Sequence, residues 1–163
     1  MSKSLPACGI YRTLTAIESV PAGRLVYFHN HGDPGPGVYL PERWVANRAV
    51  FSERGQTAPA GFDPQKALRP LPQEGFYRVI KEFHCCAKLC TKFTADTLVQ
   101  LGYNGSGQAI VFTPELNSAG IGVPERGSAV DDDMLGNLAH LQIREAQKAQ
   151  GQIAPFPRGV IMH

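Results

Sequence analysis

The chain has 163 residues, a formal net charge of +2, an apolar fraction of 43% and a charged fraction of 18%, a balance ordinary for a globular protein. A charge so near neutral argues against a dedicated nucleic-acid binder, which carries a concentrated basic stripe. No apolar run approaches the roughly eighteen residues that a membrane span needs.

The chain opens with Leu5-Pro6-Ala7-Cys8, a Leu-x-Ala-Cys pattern that resembles a lipoprotein cleavage site, but no apolar segment precedes it. The expectation is therefore a cytoplasmic protein whose four cysteines are reduced. Residues 9–17, GIYRTLTAI, mix apolar and polar side chains on both sides of an extended chain, as in a strand of a small barrel. Val20-Pro21-Ala22-Gly23 then turns the chain into residues 25–42, LVYFHNHGDPGPGVYLPE, which read as a β-hairpin. An apolar run meets a Gly- and Pro-rich reversal, a second β-prone run follows, and Pro41 stops the ladder. Val26 and Phe28, two apart, are expected to face inward. Residues 48–52 read as a further strand, Asp63 before Pro64 as the start of a short helix, and residues 68–71 as a closing strand.

The same order then recurs. Residues 98–115, LVQLGYNGSGQAIVFTPE, match residues 25–42 without a gap, with six of eighteen positions identical. About one identity would arise by chance, so the match reads as an internal duplication. Residues 5–12, LPACGIYR, match residues 71–78, LPQEGFYR, and Glu53-Arg54-Gly55 matches Glu125-Arg126-Gly127. The offset grows from 66 to 73 between the first anchor and the hairpin, a net insertion of seven residues in the second copy, and three cysteines lie there. In the second hairpin Asn104-Gly105 supplies the turn signal. Ser128 or Asp131 is placed to cap a helical turn through Met134, and residues 138–143 to close the unit.

Strand, long loop, hairpin, strand, helical turn and final strand resembles the order of an SH3-like small barrel. The expected fold is all-β: two tandem, diverged SH3-like modules, residues 1–70 and 71–143. A C-terminal segment, 144–163, follows as a polar helical turn and an apolar tail through which copies of the chain would associate. The rival topology is one larger barrel, to which each copy gives half of the strands.

Four groups of side chains are candidates for function. His84, Cys85, Cys86 and Cys90 lie in the insertion, where a helix would place Cys86 and Cys90 on one face as ligands for zinc or as reactive thiols, with Lys88 favouring thiolate. Small apolar side chains packed on the barrel are the plainer reading of those cysteines. His29 and His31 form a His-x-His half-site, but the sequence names no further ligand for it, so they read as exposed hairpin-tip residues. Asp131, Asp132 and Asp133 read as helix-start acids rather than a cation site. Trp44 has no aromatic counterpart in the second copy, which suggests a contact surface made with Tyr27, Tyr39 and Arg43 for an extended or Pro-containing peptide.

No nucleophile elbow, phosphate-binding Gly loop or dinucleotide fingerprint occurs in the sequence. The sequence thus points first to non-enzymatic binding of a protein or peptide partner. A metal- or thiol-dependent role for the His84/Cys85/Cys86/Cys90 run comes second. Third is nucleic-acid binding by a face bearing Arg12, Arg24, Arg43, Arg48 and Arg54.

Overall fold

The computed structural model describes residues 4–146. Val26 and Phe28 are fully buried, as are Val99 and Leu101, and a five-stranded antiparallel sheet is built around each pair. The first half contributes β1 (Gly9–Thr13), β2 (Leu25–His29), β3 (Gly37–Tyr39), β4 (Pro41–Val45), β5 (Arg48–Phe51), β6 (Gln56–Thr57), a short helix α1 (Pro64–Ala67) and β7 (Leu68–Pro70). Its sheet runs β6-β3-β2-β1-β7. The second half contributes β8 (Gly75–Val79), β9 (Phe83–His84), β10 (Lys92–Phe93), β11 (Leu98–Tyr103), β12 (Ala109–Phe112), β13 (Glu115–Asn117), β14 (Gly120–Gly122), β15 (Ser128–Val130), a 3₁₀ turn (Asp132–Asn137) and β16 (Leu138–His140). Its sheet runs β15-β12-β11-β8-β16.

The two sheets repeat each other's pairing residue for residue. Gly9 faces Phe28 as Gly75 faces Leu101, Tyr27 faces Tyr39 as Gln100 faces Phe112, and Tyr11 faces Pro70 as Tyr77 faces His140. Even a local detail recurs, since the Tyr11 and Tyr77 hydroxyls donate to the carbonyls of Ala7 and Gln73. In each half a hairpin, β4–β5 or β13–β14, stands outside the sheet between its third and fourth strands in chain order.

The protein is thus mostly β with several antiparallel sheets, but neither five-stranded sheet closes. Among the described residues β6 does not pair with β7, nor β15 with β16. These edge strands are two or three residues long, and Pro70 has no N–H to offer a ladder. The single larger barrel is not formed either, because among the described residues no ladder joins the two sheets.

The helix expected after Asp63 forms, with the Asp63 carboxylate accepting from Gln65 N–H at 3.1 Å. The second hairpin turn is longer than its Asn-Gly signal suggests. Asn104 Oδ1 accepts from Ser106 and Gln108 N–H, and Gly107, at φ +74°, makes the reversal. Residues 144–146 carry no helix, and the rest of the expected C-terminal turn and tail, with its oligomer contact, lies outside the described residues.

The halves meet through the back of the first sheet. Leu25, on the opposite face of β2 from Val26, is fully buried in the core of the second half, and its N–H donates to Gly105 O at 2.9 Å. The β4–β5 hairpin turns at Ala46 and Asn47, both at positive φ, and reaches across to β11. There Trp44 Nε1 donates to Tyr103 O at 2.8 Å, Gln100 Nε2 to Ala46 O at 2.9 Å, and Asn47 Nδ2 to Gln100 Oε1 and Pro124 O. Among the described residues the β13–β14 hairpin has no such seat, and its Leu116 and Ile121 are 84% and 69% exposed.

Candidate metal centres

The insertion folds as a hairpin and not as the expected helix. Phe83 pairs with Phe93 and His84 with Lys92, and the two Phe rings stack at 4.9 Å between centroids. The intervening loop turns through Leu89 at φ +56°, a left-handed conformation that ends any right-handed helix. Its base is tied to β15 and the residue after it by Ser128 Oγ to Thr91 Oγ1 at 3.2 Å and by Asp131 N–H to Cys85 O at 2.9 Å.

This loop gathers three sulfurs. Cys85 Sγ lies 3.6 Å from Cys86 Sγ, which lies 3.9 Å from Cys90 Sγ. Two thiolates bound to one tetrahedral zinc, each at ~2.3 Å, sit about 3.8 Å apart. Backbone donors point at the sulfurs as well: Thr91 N–H reaches Cys85 Sγ at 3.2 Å, and the Lys88 and Cys90 N–H groups reach Cys86 Sγ. Hydrogen bonds hold the Cys86 thiol below its ordinary range, the Cys85 thiol contributing most and the two backbone N–H groups next. Cys90 is pushed up by its hydrogen bond with Cys86 first and by the charge that thiol develops next.

Cys85 is packed as a small core side chain and the half-buried Cys86 packs against that core, whereas Cys90 is exposed. His84 sits on β9 and is not among the converging ligand atoms, because strand alternation sends its side chain to the other face from Cys85. The helical spacing of four that singled out Cys86 and Cys90 plays no part in bringing them together.

A second group forms where none was expected. Cys8 Sγ lies 3.5 Å from His29 Nδ1 and 3.7 Å from His31 Nδ1. The sequence pattern does contain the signal. In the antiparallel β1–β2 register Gly9 faces Phe28, so one step further Cys8 falls beside His29.

The expected aromatic surface is divided between two clefts. Tyr27 and Phe51 line a cleft of about 500 Å³ together with Cys8, Arg48 and Glu74. Trp44 lines another, of about 360 Å³, with Asn47, Tyr103 and Phe112, and its indole N–H is spent on Tyr103 O. Tyr39 faces Tyr27 across the β2–β3 ladder and is in edge contact with His29, while Arg43 is exposed beside Glu42. Of the five arginines expected on one face, Arg12 bonds Asp132 and Arg24 Nε donates to Gly105 O, so both hold the halves together. Asp132 therefore does more than begin a helical turn: it pairs with Arg12 and with Arg69 at 3.3 Å, and the preceding Asp131 makes no side-chain cap.

Comparison with family models, curated proteins and solved structures gives no match. Among the described residues, no helix is long and apolar enough to cross a membrane.

Proposed function

We propose that the chain is a thiophilic-metal-binding protein whose Cys85, Cys86 and Cys90 hold a zinc-class ion on the β9–β10 hairpin. The observation that carries this reading is the trio of sulfurs at metal-ligand separations with backbone N–H groups already aimed at two of them. Such donors stabilise negative sulfur and orient it, the outer-shell role that tunes thiolate metal sites. Thiolate ligands favour Zn²⁺ and Cu⁺ over harder ions. The ion would also clip a hairpin whose strands are two residues each, too short to be stable alone.

Native mass spectrometry of the protein purified under reducing, chelator-free conditions tests this. A mass excess of metal that is lost on denaturation, and reduced by one ion in Cys86→Ala/Cys90→Ala, supports the centre. The same metal content in that variant and the parent removes it.

The scaffold reading goes with this one. The repeated strand order and register support descent of both halves from one SH3-like unit, opened at its short edge strands and packed as a tandem pair.

Protein binding is the second reading, and the β13–β14 hairpin favours it. Its counterpart β4–β5 is seated on the other half, whereas Leu116 and Ile121 stand in solvent. The occupant most consistent with that internal precedent is a second copy of the chain. Sedimentation of Leu116→Ser/Ile121→Ser against the parent decides it: a dimer lost on substitution supports self-association, and a monomer in both excludes it.

A further inference from the structure

Position by position, the first sheet carries metal ligands where the second carries docking residues. Cys8, His29 and His31 correspond to Glu74, Gly102 and Asn104 by the shared pairing register. In the second sheet these positions receive the first half's hairpin and shape a turn. Glu74 Oε2 accepts Ala49 N–H at 3.1 Å, Gly102 leaves room for the Asn47 carbonyl, and Asn104 closes its own loop. The fold itself therefore asks for neither cysteine nor histidine at these places.

We infer that Cys8, His29 and His31 form a second metal centre, a three-ligand site for Zn²⁺ with its fourth position left to water. A thiolate at ~2.3 Å and an imidazole nitrogen at ~2.05 Å from one tetrahedral ion lie about 3.6 Å apart. The observed sulfur–nitrogen separations are 3.5 and 3.7 Å. Asn30 organises the group from its centre. Its N–H donates to Cys8 Sγ at 3.3 Å, its Nδ2 donates to Pro6 O at 3.2 Å, and its Oδ1 lies 2.8 Å from His31 Nδ1 and 3.2 Å from Cys8 Sγ. Because Nδ2 is committed to a carbonyl, Oδ1 is the acceptor, so the metal-free group has a protonated His31 Nδ1 and a Cys8 thiol. On binding, Cys8 gives its proton to solvent and His31 shifts its ring proton from Nδ1 to Nε2, so that one thiolate and two nitrogen lone pairs meet the ion.

The two centres differ in kind. Cys85 is 3% exposed and rooted in the core, whereas His31 is exposed and Cys8 lines the 500 Å³ cleft that Glu74 also lines. Three protein ligands with a solvent-facing fourth position are the arrangement of an exchangeable ion rather than of a closed structural one.

Calorimetric titration of the full chain with Zn²⁺ in the Cys86→Ser/Cys90→Ser background isolates this site. One equivalent should bind. Adding Cys8→Ser or His31→Asn should weaken it by about 100-fold, the upper end of what loss of a supporting group alone costs. His31→Asn installs the residue that the equivalent position already carries, and circular dichroism checks that the fold is kept. Titration with Co²⁺ should give a thiolate-to-metal charge-transfer band that Cys8→Ser abolishes and His31→Asn leaves in place at higher metal concentration. In the parent chain His31→Asn should lower the zinc stoichiometry from two to one, so failure of the cysteine-loop centre would appear as loss of the other equivalent. No zinc uptake in the isolating background with one equivalent in the parent, or uptake that neither substitution weakens, overturns the inference.

Discussion

Gly102 and His29 hold the same register position in the two sheets, Gly102 opposite Ile110 and His29 opposite Gly37, and Gly102 has the Asn47 backbone pressed against it. The Asn47 carbonyl oxygen lies 2.6 Å from where a Cβ on Gly102 would be. Neither backbone has room to yield without lifting the β4–β5 hairpin. Gly102→Ala should therefore cost about 1–3 kcal/mol in equilibrium urea unfolding, as overpacking does. In the metal-free chain His29→Ala, at a position with no hairpin above it among the described residues, should cost less than about 1 kcal/mol. Equal costs would mean that the hairpin seat does not contribute to stability.

Trp44 holds that seat with one hydrogen bond, its indole N–H to Tyr103 O at 2.8 Å. Trp44→Phe keeps an aromatic ring and removes the donor. Unfolding free energy should fall by about 1 kcal/mol, with metal stoichiometry unchanged. Altered metal stoichiometry would couple the seat to the centres in a way the structure does not describe.

Glu74 lies under the same hairpin, and burial raises its pKa, against the Ala49 N–H and Arg48, which lower it. The folded protein therefore holds this proton more tightly than the unfolded chain does. Its contribution to stability is fully present below the ordinary carboxylate range and is lost as pH climbs through it to the raised value. Glu74→Gln keeps an acceptor for Ala49 and removes the ionisation. Melting temperatures from about pH 4 to pH 7 should fall less steeply for Glu74→Gln than for the parent. Parallel curves would show that burial of this carboxyl carries no such cost.

The hairpins and their inward residues were legible because their signals are local. Val26 and Phe28 alternate, Gly and Pro punctuate, and residues 25–42 match residues 98–115 without a gap. The seat of Trp44 was not, since it depends on Tyr103, 59 positions away in sequence. Trp44 reads as a contact residue because its counterpart position lacks an aromatic; its indole N–H is bonded within the chain, while the side chain stays 42% exposed and lines a cleft. Cys8 and His29 are 21 positions apart in sequence, and only the strand register closes that gap. For the cysteine run, composition pointed to the sulfurs and periodicity gave the wrong local structure. A helix and a tight hairpin can both bring Cys86 near Cys90, and the stacking of Phe83 on Phe93 selects the hairpin.

Metal removal gives a separate handle on the loop. The amides of Thr91 and Cys90, which point at sulfur, should exchange with deuterium faster once a chelator has stripped the ion, while amides of β11 stay protected. Unchanged exchange at Thr91 and Cys90 would mean that no ion organises the loop.

The most direct measurement is X-ray absorption at the zinc edge on the Cys8→Ser chain loaded with one equivalent of Zn²⁺. The account predicts a first shell containing three sulfur scatterers at ~2.3 Å, from Cys85, Cys86 and Cys90. A shell of nitrogen and oxygen alone, or a chain that takes up no zinc, would contradict it.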